Sequence, residues 1–214
     1  ASRRRRAIIM GVKGGAPRFP KATHGIKKEL ISVEQVLNDL QTKSGKIYNH
    51  EVDKSQLSNL LDKKRLKHIP TGSGIRYQRD EKAFLPKKLR FDVDWENMNE
   101  NRFRQTRLQR LPMTEPAPTI LTSRTMYYHP FECRYLTVRE AARLQSFPNT
   151  FIFEGSVTAQ FKQIGNSVPP QLAKSLGKEL KKIEFNLAKV SKISFKNKPS
   201  FTKSAFTYKK PKTA

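Results

Sequence analysis

Arg134-Tyr135-Leu136-Thr137-Val138-Arg139-Glu140-Ala141-Ala142-Arg143-Leu144-Gln145-Ser146-Phe147-Pro148, followed by Gln163-Ile164-Gly165-Asn166-Ser167-Val168-Pro169-Pro170, is the pair of stretches from which the chain is read. In the first, Thr137 and Glu140 have the spacing of a capping box, so each can satisfy the other's free backbone N–H at a helix start. Ala141, Ala142 and Leu144 continue that helix to the Phe147-Pro148 stop, which predicts about ten residues. Arg139, Glu140 and Arg143 can form an ionic lattice on it while the alanines and the leucine pack, and their roles are structural first. In the second stretch, Gly165 lets the backbone approach a ligand closely, and Asn166 and Ser167 put short polar groups at an expected helix N-terminus. Such an end favours a carboxylate or a phosphate; the competing reading is an ordinary helix cap. Pro169 and Pro170 suit a first helical turn, after which Leu172, Ala173, Leu176, Leu180 and Ile183 mark one apolar face.

Upstream, Ser32 and Gln35 repeat the capping-box spacing, and Val33, Val36, Leu37 and Leu40 follow at helical intervals. Leu57, Leu60 and Leu61 after Ser55 predict a second helix, whereas the periodicity of residues 71–112 assigns no element. At the start, Arg3 to Arg6 run into Ala7-Ile8-Ile9-Met10-Gly11-Val12, an apolar run that reads as a buried strand. Lys13-Gly14-Gly15-Ala16-Pro17 then breaks regular structure and marks a lobe boundary.

Lys and Arg number 43 against 18 Asp and Glu, a formal net charge of +25 over 214 residues. That surplus calls for a polyanionic partner, although a merely solvated basic surface would show it too. From Lys174 onward twelve lysines face two glutamates, and residues 190–214 read as a mobile basic tail able to hold phosphates. The single cysteine, Cys133, excludes an intrachain disulfide and a cysteine zinc cluster, so no metal is expected and a reducing, cytoplasmic setting is. No apolar run reaches the roughly 18 residues of a membrane-spanning helix.

The two opening stretches closely resemble, in order and spacing, the last two sequence motifs of the DNA cytosine-5 methyltransferases. Ser2-Arg3-Arg4-Arg5-Arg6-Ala7-Ile8-Ile9-Met10-Gly11 resembles that family's eighth motif, with Ser2 where the family usually has glutamine. Glu115-Pro116-Ala117-Pro118-Thr119-Ile120-Leu121-Thr122 is similar to the end of its target-recognition domain. The resemblance implies an α/β architecture: an edge strand and C-terminal helix of an S-adenosylmethionine-dependent catalytic lobe, plus a small mixed α+β recognition lobe. The expected divisions are 1–16, a strand of the catalytic lobe; 17–135, the target-recognition domain; 136–189, the two last motif helices; and 190–214, the tail.

By the same resemblance Arg6 would hydrogen-bond a flipped-out cytosine and Arg4 a neighbouring phosphate, alternate strand residues sharing one face. Asn166, Ser167 and Val168 would touch the methionine end of S-adenosylmethionine. Thr119 would bond backbone phosphate and Ile120 would pack in the groove of double-stranded DNA; the plain alternative is a proline-bounded loop leading into a strand. Arg76, Arg79, Arg90, Arg102, Arg104 and Arg107 are candidate base or phosphate contacts among which the sequence does not choose.

Cytosine C5 is a poor nucleophile, so methylation needs a thiolate to add at C6 and a carboxylate on the base. The family places that thiolate in a Pro-Cys loop, but Cys133 lies between Glu132 and Arg134 and reads as structural. The expectation is therefore a recognition and cofactor-pocket-completing portion, active only when joined by the half that carries the Pro-Cys loop. It would be either a natural split subunit or a truncated gene product. The strand at Ala7–Val12 and the face of Leu172, Leu176 and Leu180 would otherwise stand exposed, leaving the chain poorly stable alone. The alternative is a catalytically inactive, methyltransferase-derived DNA-binding protein; a generic basic structural protein accounts for the charge but not for the paired motifs.

Overall fold

The computed structural model describes residues 2–4, 7–11, 18–24, 29–41 and 47–182. Expectations for Arg6, for the boundary at 12–17, for Ile183 and for the tail at 190–214 fall outside them. Six α-helices, four short 3-10 helices and one two-stranded sheet make up the regular structure of the described residues, a mixed α/β composition. All but the last α-helix border two apolar clusters.

The first cluster is built by helices that carry their own start signals. Helix α1 (Val33–Gln41) opens on the expected box: Ser32 N donates to Gln35 Oε1 at 2.9 Å and Gln35 N to Ser32 Oγ at 3.2 Å. It buries Val33, Val36, Leu37 and Leu40 as its spacing requires. Helix α4 (Val138–Leu144) is also boxed, with Thr137 N on Glu140 Oε2 at 2.8 Å and Glu140 N on Thr137 Oγ1 at 3.2 Å. It is shorter than expected because Ser146 takes a positive φ of 67° and turns the chain before Pro148. Helix α5 (Val157–Asn166) packs on α4, as does α1, and sends Phe161 and Ile164 into the same core as Leu111, Ala117 and Ile120.

The second cluster contains α2 (Leu60–Leu66), β1 (Ile75–Tyr77), α3 (Gln78–Phe84) and β2 (Arg102–Arg107). Asn59 caps α2 by accepting from Leu61 N and Asp62 N at 2.9 and 3.0 Å, so the helix starts later than the leucine spacing implied. Leu66 is fully buried, while Leu60 and Leu61, the expected packing residues, are exposed. Trp95 and Phe103 meet edge-on with centroids 4.8 Å apart, and the indole Nε1 donates to Glu81 Oε2 at 2.9 Å.

Strands β1 and β2 pair antiparallel with Ile75 opposite Arg107 and Tyr77 opposite Arg102. Five residue steps on β2 thus face two on β1, a bulge that bends the ribbon and redirects its side chains. Gly74 permits the close pairing: a Cβ there would lie 2.6 Å from Thr106 Cγ2 and 2.9 Å from the Gln109 backbone.

The expected strand at Ala7–Val12 is a correction. Residues 7–11 form no strand and Ile9 is 97 % exposed, because the described residues offer this run no sheet edge to pair with. Helix α6 (Pro170–Lys181) does form, yet buries none of its residues. Of its expected apolar stripe, Leu172 and Leu176 are half-buried and Leu180 is 37 % exposed.

Candidate functional site

The N-terminal arginines are brought to the second of the two opening stretches by backbone pairing. Ser2 bridges Ala117 in parallel, Arg3 N donates to Ala117 O at 2.7 Å, and Thr119 Oγ1 donates to Arg3 O at 2.9 Å. Arg4 then reaches the last turn of α5, where its Nη1 donates to Gly165 O at 2.6 Å. A helix C-terminus carries partial negative charge on its unshared carbonyls, so a guanidinium is stabilised there. Arg3 pairs with Glu115 at 3.2 Å, but both side chains are well exposed and such a pair is worth at most about 1 kcal/mol.

Asn166 and Ser167 require a correction. They stand at the C-terminal end of α5, not at the start of a helix: Ser167 N–H returns to Gln163 O and Ile164 O, and Ser167 Oγ donates to Ile164 O at 2.7 Å. The next helix begins behind Pro169 and Pro170, which have no N–H to offer an anion. The sequence reading missed α5, whose signals are the Ser156 cap and the spacing of Val157, Phe161 and Ile164. Asn166 is exposed, Ser167 is half-buried and Val168 is 47 % exposed, so together they form an open polar and apolar edge.

Gly165 has a structural reason to be glycine. A Cβ there would sit 2.7 Å from Leu121 C and Thr122 N, so the close approach it allows is to the chain itself. That contact joins the α5 end to the segment after Thr119. Ile120, expected in a DNA groove, is only 2 % exposed and belongs to the first core.

The charges expected to form a lattice along α4 go elsewhere. Glu140 takes a fork from Arg134, at 2.7 and 2.8 Å. Arg139 is fully buried and donates to the carbonyls of Tyr48 and Pro148 at 2.9 Å and of Phe151 at 2.5 Å, with no carboxylate among its partners. Burial pulls its guanidinium below the ordinary arginine range, and Arg143 adds to that. Arg134, Arg139 and Glu140 thus tie α4 to neighbouring segments as a clamp rather than forming a lattice along the helix.

Around Glu140 the electrostatics are tightly matched. Burial alone would raise the Glu140 carboxyl, but hydrogen bonds from Arg134 overcome it and hold the group below the usual carboxylate range. Burial likewise opposes the charge on Arg134, and the bonds to Glu140 and Glu132 outweigh it. Burial pushes His129 down to about 4 despite the pull of Glu140. His129 Nδ1 accepts from Phe131 N at 3.3 Å and Glu132 N at 3.0 Å, which needs the neutral ring protonated on Nε2.

Two open hollows share Arg104, Gln105 and Thr106 of β2 in their linings. One of about 600 Å³ is lined by Asp62, Arg104, Arg107, Tyr128 and Tyr135 among others; the second, of about 780 Å³, by Arg3, Arg76, Arg104, Gln105, Gln109 and Glu115 among others. Arg107 is exposed and lies 5.2 Å over the Phe103 ring. Cys133 is half-buried, with Arg110 Nη2 3.5 Å from its sulfur. Among the described residues no group of three His, Cys, Asp or Glu could hold a metal ion, and no helix is long and apolar enough to cross a membrane.

Set beside known proteins, residues 1–182 match the family model described as C-5 cytosine-specific DNA methylase. The chain is 32 % identical over 186 residues to the type II methyltransferase M.Sau96I of Staphylococcus aureus, covering 84 % of this chain and 40 % of that protein. It is 33 % identical over 161 residues to the type II methyltransferase M.DdeI of Desulfomicrobium norvegicum, covering 70 % of this chain and 37 % of that protein. A crystal structure titled as a prophage-encoded DNA modification methyltransferase from E. coli overlays 59 % of this chain and 27 % of its own. Its TM-score is 0.38 at 26 % identity. The chain spans less than half the length of these relatives.

Proposed function

The chain belongs to the C-5 cytosine-specific DNA methylase family, and from that premise we propose that it supplies the DNA-recognition surface and one wall of the cofactor pocket of a DNA cytosine-5 methyltransferase. The observation that carries this reading is the bond from Arg4 to Gly165 O, which joins the N-terminal arginines to the Asn166–Val168 edge. Arg6 would follow along the same segment and hydrogen-bond the flipped cytosine of double-stranded DNA. Thr119, half-buried and hydrogen-bonded to the Arg3 carbonyl, would align that segment against the target strand.

S-adenosylmethionine would supply an electrophilic methyl group. Asn166, Ser167 and Val168, on an open edge, would form one side of a pocket shared with the segment that supplies the thiolate. The exposed Asn166 carboxamide can meet the polar methionine end, and the Val168 side chain can exclude water from it. The thiolate is assigned to a segment beyond these 214 residues, on the same polypeptide or on a complementary subunit. Cys133 is held in the second cluster beside Arg110 and is not its source. Recognition is assigned chiefly to the second cluster, because α1, within the expected 17–135 unit, shares its core with α4 and α5.

Transfer of tritium from labelled S-adenosylmethionine to DNA cytosine tests the proposal. The chain combined with a segment carrying a Pro-Cys loop should label DNA, and an Asn166→Ala variant should lower the apparent cofactor affinity. Site-specific binding without labelling in any combination would instead favour a non-catalytic DNA-binding protein.

A further inference from the structure

We propose that the β1–β2 ribbon is the element that enters the DNA major groove, and that Arg76 and Arg104 read guanine edges from it. This rests on the DNA-recognition function just assigned and names the residues that would carry its specificity.

The described structure separates six arginines that the sequence could not. Arg90 is half-buried and its Nε donates to Leu85 O at 3.3 Å. Arg102 is paired with Glu100. Arg79 lies 4.8 Å over the Tyr77 ring with Asp80 at 3.9 Å, and Arg107 rests on Phe103. Arg104 is different: it is exposed and has no hydrogen bond or ion pair among the described residues. Arg76 is half-buried, and its Nε is shielded from solvent without a hydrogen-bond partner among those residues. An unmet buried donor on a guanidinium is a cost unless a ligand supplies the acceptor.

Both residues line the larger hollow, together with Gln105 and Gln109. The carboxylate in that lining, Glu115, is already paired with Arg3, so the charge left facing the opening is positive. Arg3 continues the lining towards the segment proposed to meet the flipped base, so a duplex could follow the ribbon and the target site together.

The ribbon has the right form for this task. A major groove about 12 Å wide admits a two-stranded antiparallel ribbon, and arginine can donate in parallel to guanine O6 and N7. Arg104 and Gln105 lie in the irregular stretch of β2 between Arg102 and Arg107, and Arg76 lies between their partners Tyr77 and Ile75 on β1. These three long donor side chains line the same hollow beside the bulge. Arg79, on the exposed first turn of α3, has the position of a phosphate contact instead.

The test is sequence selection from duplexes with randomised positions, using the full chain alone and in the assembly that restores methyl transfer. It is followed by titration of the selected duplex with single guanines replaced by 7-deazaguanine. Arg104→Ala should lose roughly 5- to 150-fold of discrimination at one guanine position, the value of one bidentate contact, and become insensitive to 7-deazaguanine there. Arg76→Ala should do the same at a neighbouring position, with Arg76→Lys as the check should alanine unfold the ribbon. Arg79→Ala should weaken all sequences about equally. A parent chain that selects no sequence would remove the recognition function on which the proposal stands. A parent that selects a site, with both variants keeping its full preference and sensitivity at every guanine, would overturn the ribbon assignment alone.

Discussion

Arg139→Ala should be among the most destabilising single changes in the first cluster. The side chain is fully buried and bonds three backbone carbonyls, Tyr48 O, Pro148 O and Phe151 O, tying the turns at 48–49 and 148–151 to α4. Charge-assisted hydrogen bonds are worth about 1.5–3 kcal/mol each, so three at the lower bound give roughly 4–5 kcal/mol. Against this stands the cost of holding an uncompensated guanidinium out of water, several kcal/mol that alanine removes. Water entering the vacated space also relieves some of the carbonyls. The expected net loss is about 2–4 kcal/mol, or roughly 4–16 °C in Tm for a chain of this size. Urea titration followed by far-UV circular dichroism reads it, and Arg139→Lys should recover part. A double-mutant cycle distinguishes the clamp from a helix-surface lattice: coupling between positions 134 and 140 should exceed about 1.5 kcal/mol, and that between 139 and 140 should stay below about 0.5. A variant within about 0.5 kcal/mol of the parent, or the reverse order of couplings, would refute the reasoning.

Gly165→Ala forces a methyl to within 2.7 Å of the Leu121–Thr122 backbone, which cannot swing aside as a side chain could. A loss of about 1–3 kcal/mol in thermal unfolding is expected, with weaker DNA labelling because the Arg4 anchor moves with it. His129, lowered from 6.5 to about 4, contributes stability that is present above pH 6.5 and lost as pH falls towards 4. The full effect is about 3 kcal/mol. Glu140 and Glu132 are also lowered, from 4.5, so their contributions fade only below that value. The decline in urea midpoint between pH 6.5 and 4.5 therefore belongs to His129, and His129→Gln should flatten it. Ile9→Asp and Leu180→Asp, at 97 % and 37 % exposed apolar positions, should raise the solubility of the chain alone. The same changes should prevent complementation in the labelling assay, and unchanged labelling would show that the surface is not an interface.

What could be read beforehand depended on whether a signal was local. The boxes at Ser32–Gln35 and Thr137–Glu140 are short-range and both helices formed on them. α5 was missed because Phe151 to Gly155 separate it from the preceding motif and its cap, Ser156, lacks an acidic or amide partner at the third position. That omission placed Asn166 and Ser167 at the wrong end of a helix. The ribbon was invisible for a different reason: its bulge breaks the alternation that marks a strand, leaving Phe103 buried and Arg104 and Gln105 both exposed. The fate of the Ala7–Gly11 run depends on a neighbouring sheet edge, and no local pattern encodes whether one is present. The Arg4–Gly165 contact spans most of the chain, so no local pattern pointed to it, and the family resemblance had given Arg4 a DNA phosphate instead.

The path into and out of the second cluster is narrow. Gln56 bridges Arg134, Tyr135 N donates to Ser55 O, and Tyr128 bridges both Tyr135 and Arg110. The two chain ends of residues 57–109 thus lie close together at this stack of paired backbones, while Gly72 N and Thr71 Oγ1 bond Leu111 O and Leu66 O accepts from Arg110. An insert with such neighbouring ends can be exchanged for another of different length and composition while the stack stays intact. Such exchange would let the residues that read the sequence change quickly while the Arg4, Gly165 and Arg139 positions stay constrained. On the proposed ribbon assignment, a graft of 57–109 into a relative would transfer one chain's choice of DNA site to another.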